Sequence, residues 1–128
     1  MEVLYLVTRL SARYGRVLAE PTMTVCARIY DCCCVGNSFY PSDEERLRKR
    51  KDFFIEARGL LDALDTRIAL IYDVLRDNPQ GAFTNCDGKT LPPAEASRKI
   101  NKKVERIGRI IIKEKELLSK RIKNDRVK

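Results

Sequence analysis

Residues Phe53–Leu75 read FFIEARGLLDALDTRIALIYDVL, and within them Phe54, Ala57, Leu61, Leu64, Ile68, Ile71 and Leu75 follow one another at steps of three and four without a miss. That spacing puts seven apolar side chains on one stripe of an α-helix and leaves the opposite face to Glu, Asp, Arg and Thr. The alternation of three and four is the repeat of helices that pack at shallow angles, so the stripe predicts the core of a helical bundle. Ser42 as N-cap, with Glu45 three residues on to complete a capping box, predicts where this helix begins.

Outward on the N-terminal side, Val3, Val7, Leu10, Tyr14 and Val17 predict an amphipathic helix over Glu2–Ala19 that ends at Glu20 and Pro21. A second helix is expected over Thr22–Val35, with Val25, Ile29 and Cys32 or Cys33 inward and Ala27, Cys26 and Cys34 as small neighbours. Gly36 and Asn37 read as its stop, because both tolerate a left-handed backbone. On the C-terminal side, RDNPQGAFTNCDGKTLPP over 76–93 is turn chemistry throughout and predicts a long loop, with Asp87 and Gly88 able to close a small hairpin.

The last helix is expected over Ala94–Lys128, its basic tail being 122–128. Ile100, Val104, Ile107, Ile111, Leu118 and Ile122 fall on one side, while Arg98, Lys102, Arg109, Lys113 and Lys120 fall almost opposite. Four helices and no strand pattern predict an all-α, up-down four-helix bundle, a single domain spanning 1–128. A chain of 128 residues is long enough to bury roughly two thirds of its unfolded surface without a disulfide or metal.

Charge is distributed unevenly. From Ala94 onward 13 Lys and Arg face 5 Asp and Glu, whereas the preceding residues hold 13 of each, so the last helix and tail carry the whole net charge of +8. This asymmetry points to a polyanionic partner. Arg106 and Lys99 broaden the stripe on one flank, and Glu95, Glu105 and Glu116 lie close enough to offset part of it by pairing along the helix. Two interpretations stand, an anion-binding face and a merely solvated one.

A second basic cluster, Arg46, Arg48, Lys49, Arg50 and Lys51, opens the third helix. Asp43, Glu44 and Glu45 partly offset it, and consecutive residues splay around a helix, so solvation explains it as well as binding does. If five stripe cations each met a phosphate, log affinity would fall with log salt at a slope of roughly −4 to −5 on duplex DNA. No aromatic ladder interrupts the cations, so contact with backbone or shape, not base stacking, is the expected mode.

Catalytic chemistry finds little footing. There is no histidine, and Cys32, Cys33 and Cys34 are consecutive and point in three directions, so neither a metal nor a cofactor is expected. Cys26 and Cys33 read as small core hydrophobes, and unpaired thiols fit a reducing compartment. Gly81 and then Gly88, Lys89 and Thr90 fail the phosphate-loop spacing by two residues and follow no strand. Cys86, near Lys89, is the one thiol whose surroundings suggest activation, but a dispensable surface thiol accounts for it better. With no membrane-length apolar run and no export leader, the expectation is a cytoplasmic, non-catalytic protein.

One junction carries a family pattern. Ala27, Arg28, Ile29, Tyr30 and Asp31, then Asn37, Ser38, Phe39, Tyr40 and Pro41, followed by Glu44, Glu45, Arg46, Arg50 and Ala57, resemble the four-helix-bundle proteins that include the accessory variability determinant of diversity-generating retroelements. The resemblance extends from about Leu10 to Arg126, excluding the loop, and the NSFYP turn is its most distinctive part. It implies a basic, pentameric ring of bundles that binds RNA or RNA/DNA hybrid, associates with a reverse transcriptase and supports templated, mutagenic cDNA synthesis. The related bundles encoded within intervening sequences of 23S rRNA genes share the fold. This chain departs from the pattern where relatives carry a tryptophan, about at Lys115, and in the length of 76–93. Ile110, Ile112 and Leu117 lie off the core line of the last helix, which supports a different function, an adaptor acting through protein contacts and self-assembly.

Overall fold

The helix predicted from the apolar stripe is present over Glu44–Asp77 (α3). In the computed structural model, which describes residues 2–10, 15–77 and 93–128, it is joined by Glu2–Val7 (α1), Glu20–Ser38 (α2) and Pro93–Asn124 (α4). The fold is all-α, with no strand among the described residues. All seven stripe residues of α3 are buried, Ala57 and Ile71 completely, and Leu60 joins them. On α4 the buried positions are Ala96, Ile100, Ile107, Ile111 and Leu118, with Val104 and Ile122 half-buried on the same line.

The described residues form two compact units. The first comprises 1–23 and 65–109, and the second 24–64 and 110–128. In the first, Leu6, Val7, Thr22, Ile68, Ile71, Leu75, Ala96, Ile100 and Ile107 make the core. The Tyr72 hydroxyl donates to Asn101 Oδ1 at 2.7 Å and ties α3 to α4 at the surface.

The N-terminal helix is shorter than its periodicity predicts. After Val7 the backbone tightens, with Arg9 N–H donating to Leu6 O and Leu10 N–H to Val7 O, so α1 closes in a narrow i to i−3 turn. The chain re-enters helix at Gly15–Ala19 as a π turn that runs directly into α2. Pro21 explains that turn: its ring would strike the carbonyl of Val17 in an α-helix and it offers no N–H, and widening the turn relieves both. The Thr22 hydroxyl then donates to Leu18 O at 2.6 Å, which satisfies a carbonyl beside the irregularity and accounts for a buried threonine. The expected break at Glu20 and Pro21 is therefore absent, and Val17, placed inward by counting, is 66% exposed.

In the second unit α2 also outruns its expected stop. Gly36 lies inside the helix and is buried, not a left-handed terminus, because a Cβ there would meet Phe54 Cε1 at 2.7 Å. Its hydrogen side chain lets the Phe54 ring approach the α2 backbone. The turn after α2 is held by Ser38 Oγ–H donating to Val35 O and by the Phe39 and Phe53 rings, stacked 5.9 Å apart. Pro41 is buried and Ser42 N–H donates to Tyr40 O. The cap of α3 is Asp43, one residue later than expected: its Oδ1 accepts from Arg46 N–H at 2.8 Å, the distance and register of an N-cap bond.

Of the cysteines, Cys32 is buried, Cys26 and Cys33 half-buried and Cys34 exposed. Burial pushes the thiols of Cys26, Cys32 and Cys33 above their ordinary range, which keeps them protonated and unreactive at neutral pH. Cys86, the Asp87–Gly88 hairpin and the Gly88-Lys89-Thr90 motif lie outside the described residues.

Arg50 joins three segments of the second unit. Its Nε donates to Asp125 Oδ2 at 2.8 Å, its Nη1 to Phe39 O at 3.2 Å, and its guanidinium lies 5.2 Å from the Phe54 ring centre. Lys128 N–H also donates to Pro41 O, so the residues beyond α4 are folded against the α2–α3 turn. The Arg50 side chain is only 14% exposed. Asp125→Ala would leave this cation without its carboxylate, and the expected loss is about 1.5–3 kcal/mol, the worth of a hydrogen bond to a charged group. It is measured as a lower urea midpoint with an unchanged slope.

Candidate nucleic-acid interface

Position on α4 determines which cations are available. In the first unit Arg98, Lys102, Arg106 and Arg109 are exposed, and Ile100 and Ile107 on the opposite side of the helix are buried. In the second unit Lys113 and Lys120 are exposed beside the buried Ile111 and Leu118. Among the described residues, Arg98, Lys102, Arg109, Lys113 and Lys120 enter no ion pair. Nor do Glu95, Glu105 and Glu116, so the expected offset along the helix is not made. Long exposed side chains gain too little from pairing in water to be held together.

Arg106 differs from the other five, since its Nη1 lies 3.7 Å from Glu2 Oε1. Lys103, not singled out by the stripe, donates from Nζ to Glu2 Oε2 at 2.9 Å and stands 4.5 Å from the centre of the Tyr5 ring. Arg9 lies at the same distance from that ring. The hydrogen bond from Lys103, then the charge of Arg106, hold the Glu2 carboxyl below its usual value. A depressed carboxyl is ionised, and the link from α1 to α4 in place, at neutral pH; the link is lost only as acid carries the pH down through the lowered value.

Around these residues Tyr5, Lys99, Lys102, Lys103 and Arg106 line a depression of about 260 Å³. Lys102–Lys103 and Lys99 show in the sequence that cations cluster on this part of α4. The contribution of Glu2 and Tyr5 depends on the packing of α1, for which no local signal exists.

The cluster that opens α3 is divided. Arg46 is exposed and Lys49 pairs with Glu45 at 3.4 Å across one helical turn, whereas Arg50 is committed to Asp125 and Phe39 as described above. Lys115 is half-buried and bonded to Asp62 of α3.

No group of His, Cys, Asp or Glu among the described residues is arranged to hold a metal, and no described helix is long and apolar enough to cross a membrane. Neither a family model, nor a curated protein, nor a solved structure matches this chain.

Proposed function

We propose that the protein is a non-catalytic accessory protein that binds nucleic acid through its phosphates, using Arg98, Lys102, Arg106, Arg109, Lys113 and Lys120 of α4 and a smaller contribution from Arg46 and Lys49. The observation that carries this reading is that five of these α4 cations, Arg98, Lys102, Arg109, Lys113 and Lys120, are exposed and enter no ion pair among the described residues. Cations in that condition release counterions when they meet phosphates, which drives binding that is strong at low salt and indifferent to base sequence. The resemblance at Ala27–Asp31 and Asn37–Pro41 extends the proposal to a partner: the reverse transcriptase of a diversity-generating retroelement, with template RNA or RNA/DNA hybrid as the nucleic acid. It also supports an up-down four-helix bundle, with the residues between Asp77 and Pro93 as the long connection, assembled as a homopentamer.

Light scattering of the protein, alone and with a structured RNA, tests this reading. A particle of about five subunits that takes up RNA at low salt and releases it at high salt is the expected result. A monomer indifferent to RNA at low salt would overturn it.

A second reading rests on Ile110, Ile112 and Leu117, which are 43%, 60% and 48% exposed. Apolar side chains of that size on a charged helix favour a protein partner or a second copy, and the protein would then be an adaptor. Ile112 lies in a shallow depression with Arg58, Lys115 and Lys120. Association with the enzyme that survives nuclease and high salt distinguishes this reading from the first.

A further inference from the structure

The depression lined by Tyr5, Lys99, Lys102, Lys103 and Arg106 has properties that a phosphate-binding helix face does not need. It is concave and small, about 260 Å³, below the usual range of pockets for whole small molecules. It gathers four cations of α4, and an internal anion, Glu2, already contacts two of them. The Tyr5 ring has Lys103 and Arg9 each 4.5 Å from its centre, so it orients cations and is not free to stack on a base.

We propose that this depression receives the terminal phosphate monoester of a nucleic-acid strand, and that Glu2 is the anion it displaces from Lys103 and Arg106. The inference rests on the nucleic-acid reading above and gives one part of that surface a separate task. Shape selects the end of a strand, because an internal phosphodiester must enter with chain on both sides while a terminal group enters with chain on one. Charge selects the monoester. A diester brings one negative charge, no more than the Glu2 carboxylate it would replace, whereas a terminal phosphate at pH 7 brings about −1.5 to −2 and three acceptor oxygens. Lys103 and Arg106 then exchange a weaker anion for a stronger one, and the base is not read.

The test compares three 3′-labelled single strands of one sequence at fixed moderate salt: a 5′-phosphate strand, a 5′-hydroxyl strand, and a 5′-hydroxyl strand longer by two nucleotides to match the added charge. The 5′-phosphate strand is expected to bind about tenfold tighter than both others, the effect of one additional hydrogen bond to a charged group. Glu2→Gln should tighten the 5′-phosphate strand further and narrow the preference, since diesters then meet no competitor. Lys103→Met should abolish the preference while the 5′-hydroxyl strand still binds, with helix content checked by circular dichroism. Inorganic phosphate should erase the preference without releasing the strand.

Equal affinity for the three strands, lowered alike by Arg109→Glu with Lys113→Glu, would overturn the pocket and leave the α4 surface standing. A preference that survives Lys103→Met would place the phosphate elsewhere and overturn it also. Inorganic phosphate bound at Lys103 with no preference among strands would make the ligand free phosphate, against the proposal. Failure of every strand to bind the unaltered protein would overturn the nucleic-acid reading itself.

Discussion

Arg109→Glu combined with Lys113→Glu lowers affinity for RNA or duplex DNA by about two orders of magnitude near 0.1 M salt and flattens the plot of log affinity against log salt by close to two units. Both residues are exposed, neither enters an ion pair among the described residues, and neither lines the Tyr5 depression. The substitution thus removes two phosphate contacts and adds two repulsive charges without disturbing an internal bond. Glutamate is as good a helix former as arginine or lysine, so α4 keeps its helix content. Fluorescence anisotropy across a salt series reads both the affinity and the slope. An unchanged slope would remove these two cations from the interface, even if affinity fell.

The largest effect on stability is expected at Phe54. Its side chain is 1% exposed, Gly36 lets it approach the backbone of α2, and Arg50 and Arg121 lie 5.2 and 5.8 Å from the ring centre. Phe54→Ala should cost about 3–5 kcal/mol, the sum of lost transfer energy and an unfilled cavity. At roughly 4 °C per kcal/mol for a chain of intermediate size, the melting temperature falls by about 12–20 °C. Gly36→Ala should also destabilise, although alanine is the better helix former by up to about 1 kcal/mol, because its methyl would overlap the ring. The two sites touch, so their effects should not add. In a Phe54→Leu background the smaller side chain makes room, and Gly36→Ala becomes neutral or favourable. Additive costs in that cycle would mean that Gly36 is required for some other reason.

Helical content and the core faces of α3 and α4 were legible because long amphipathic helices repeat their signal many times. Phe54 through Leu75 and Ile100 through Leu118 supply enough turns that one displaced residue does not alter the assignment. The first helix departs from its expectation for the opposite reason. Val3, Val7, Leu10, Tyr14 and Val17 make a short pattern, which assigns Gly15–Ala19 the α-helical period although the chain forms a π turn there. Gly36 differs from its expected role because composition marks it as permissive and only the approach of Phe54, eighteen residues away in the chain, shows what it permits.

The candidate site divides in the same way. Exposure of Arg98, Lys102, Arg109, Lys113 and Lys120 follows from helical geometry and needs no knowledge of tertiary packing. The internal commitment of Arg50 depends on Asp125, and the depression around Lys103 depends on Glu2 and Tyr5, both set by contacts far apart in the chain. In the basic cluster that opens α3, Arg50 is an internal tie, and nothing in its neighbours' sequence distinguishes it.

The π turn at Gly15–Ala19 bears on how this chain tolerates changes in length. The segment holds about one residue in excess of an α-helical turn, just ahead of Pro21. Loss of one residue there narrows the coil without strain only if Pro21 is replaced as well, since its ring would otherwise strike the carbonyl four residues before it. A deletion inside α2 rotates every later side chain by about 100°, whichever residue stands at position 21. The proline that makes the slack is also what keeps the chain from drawing on it.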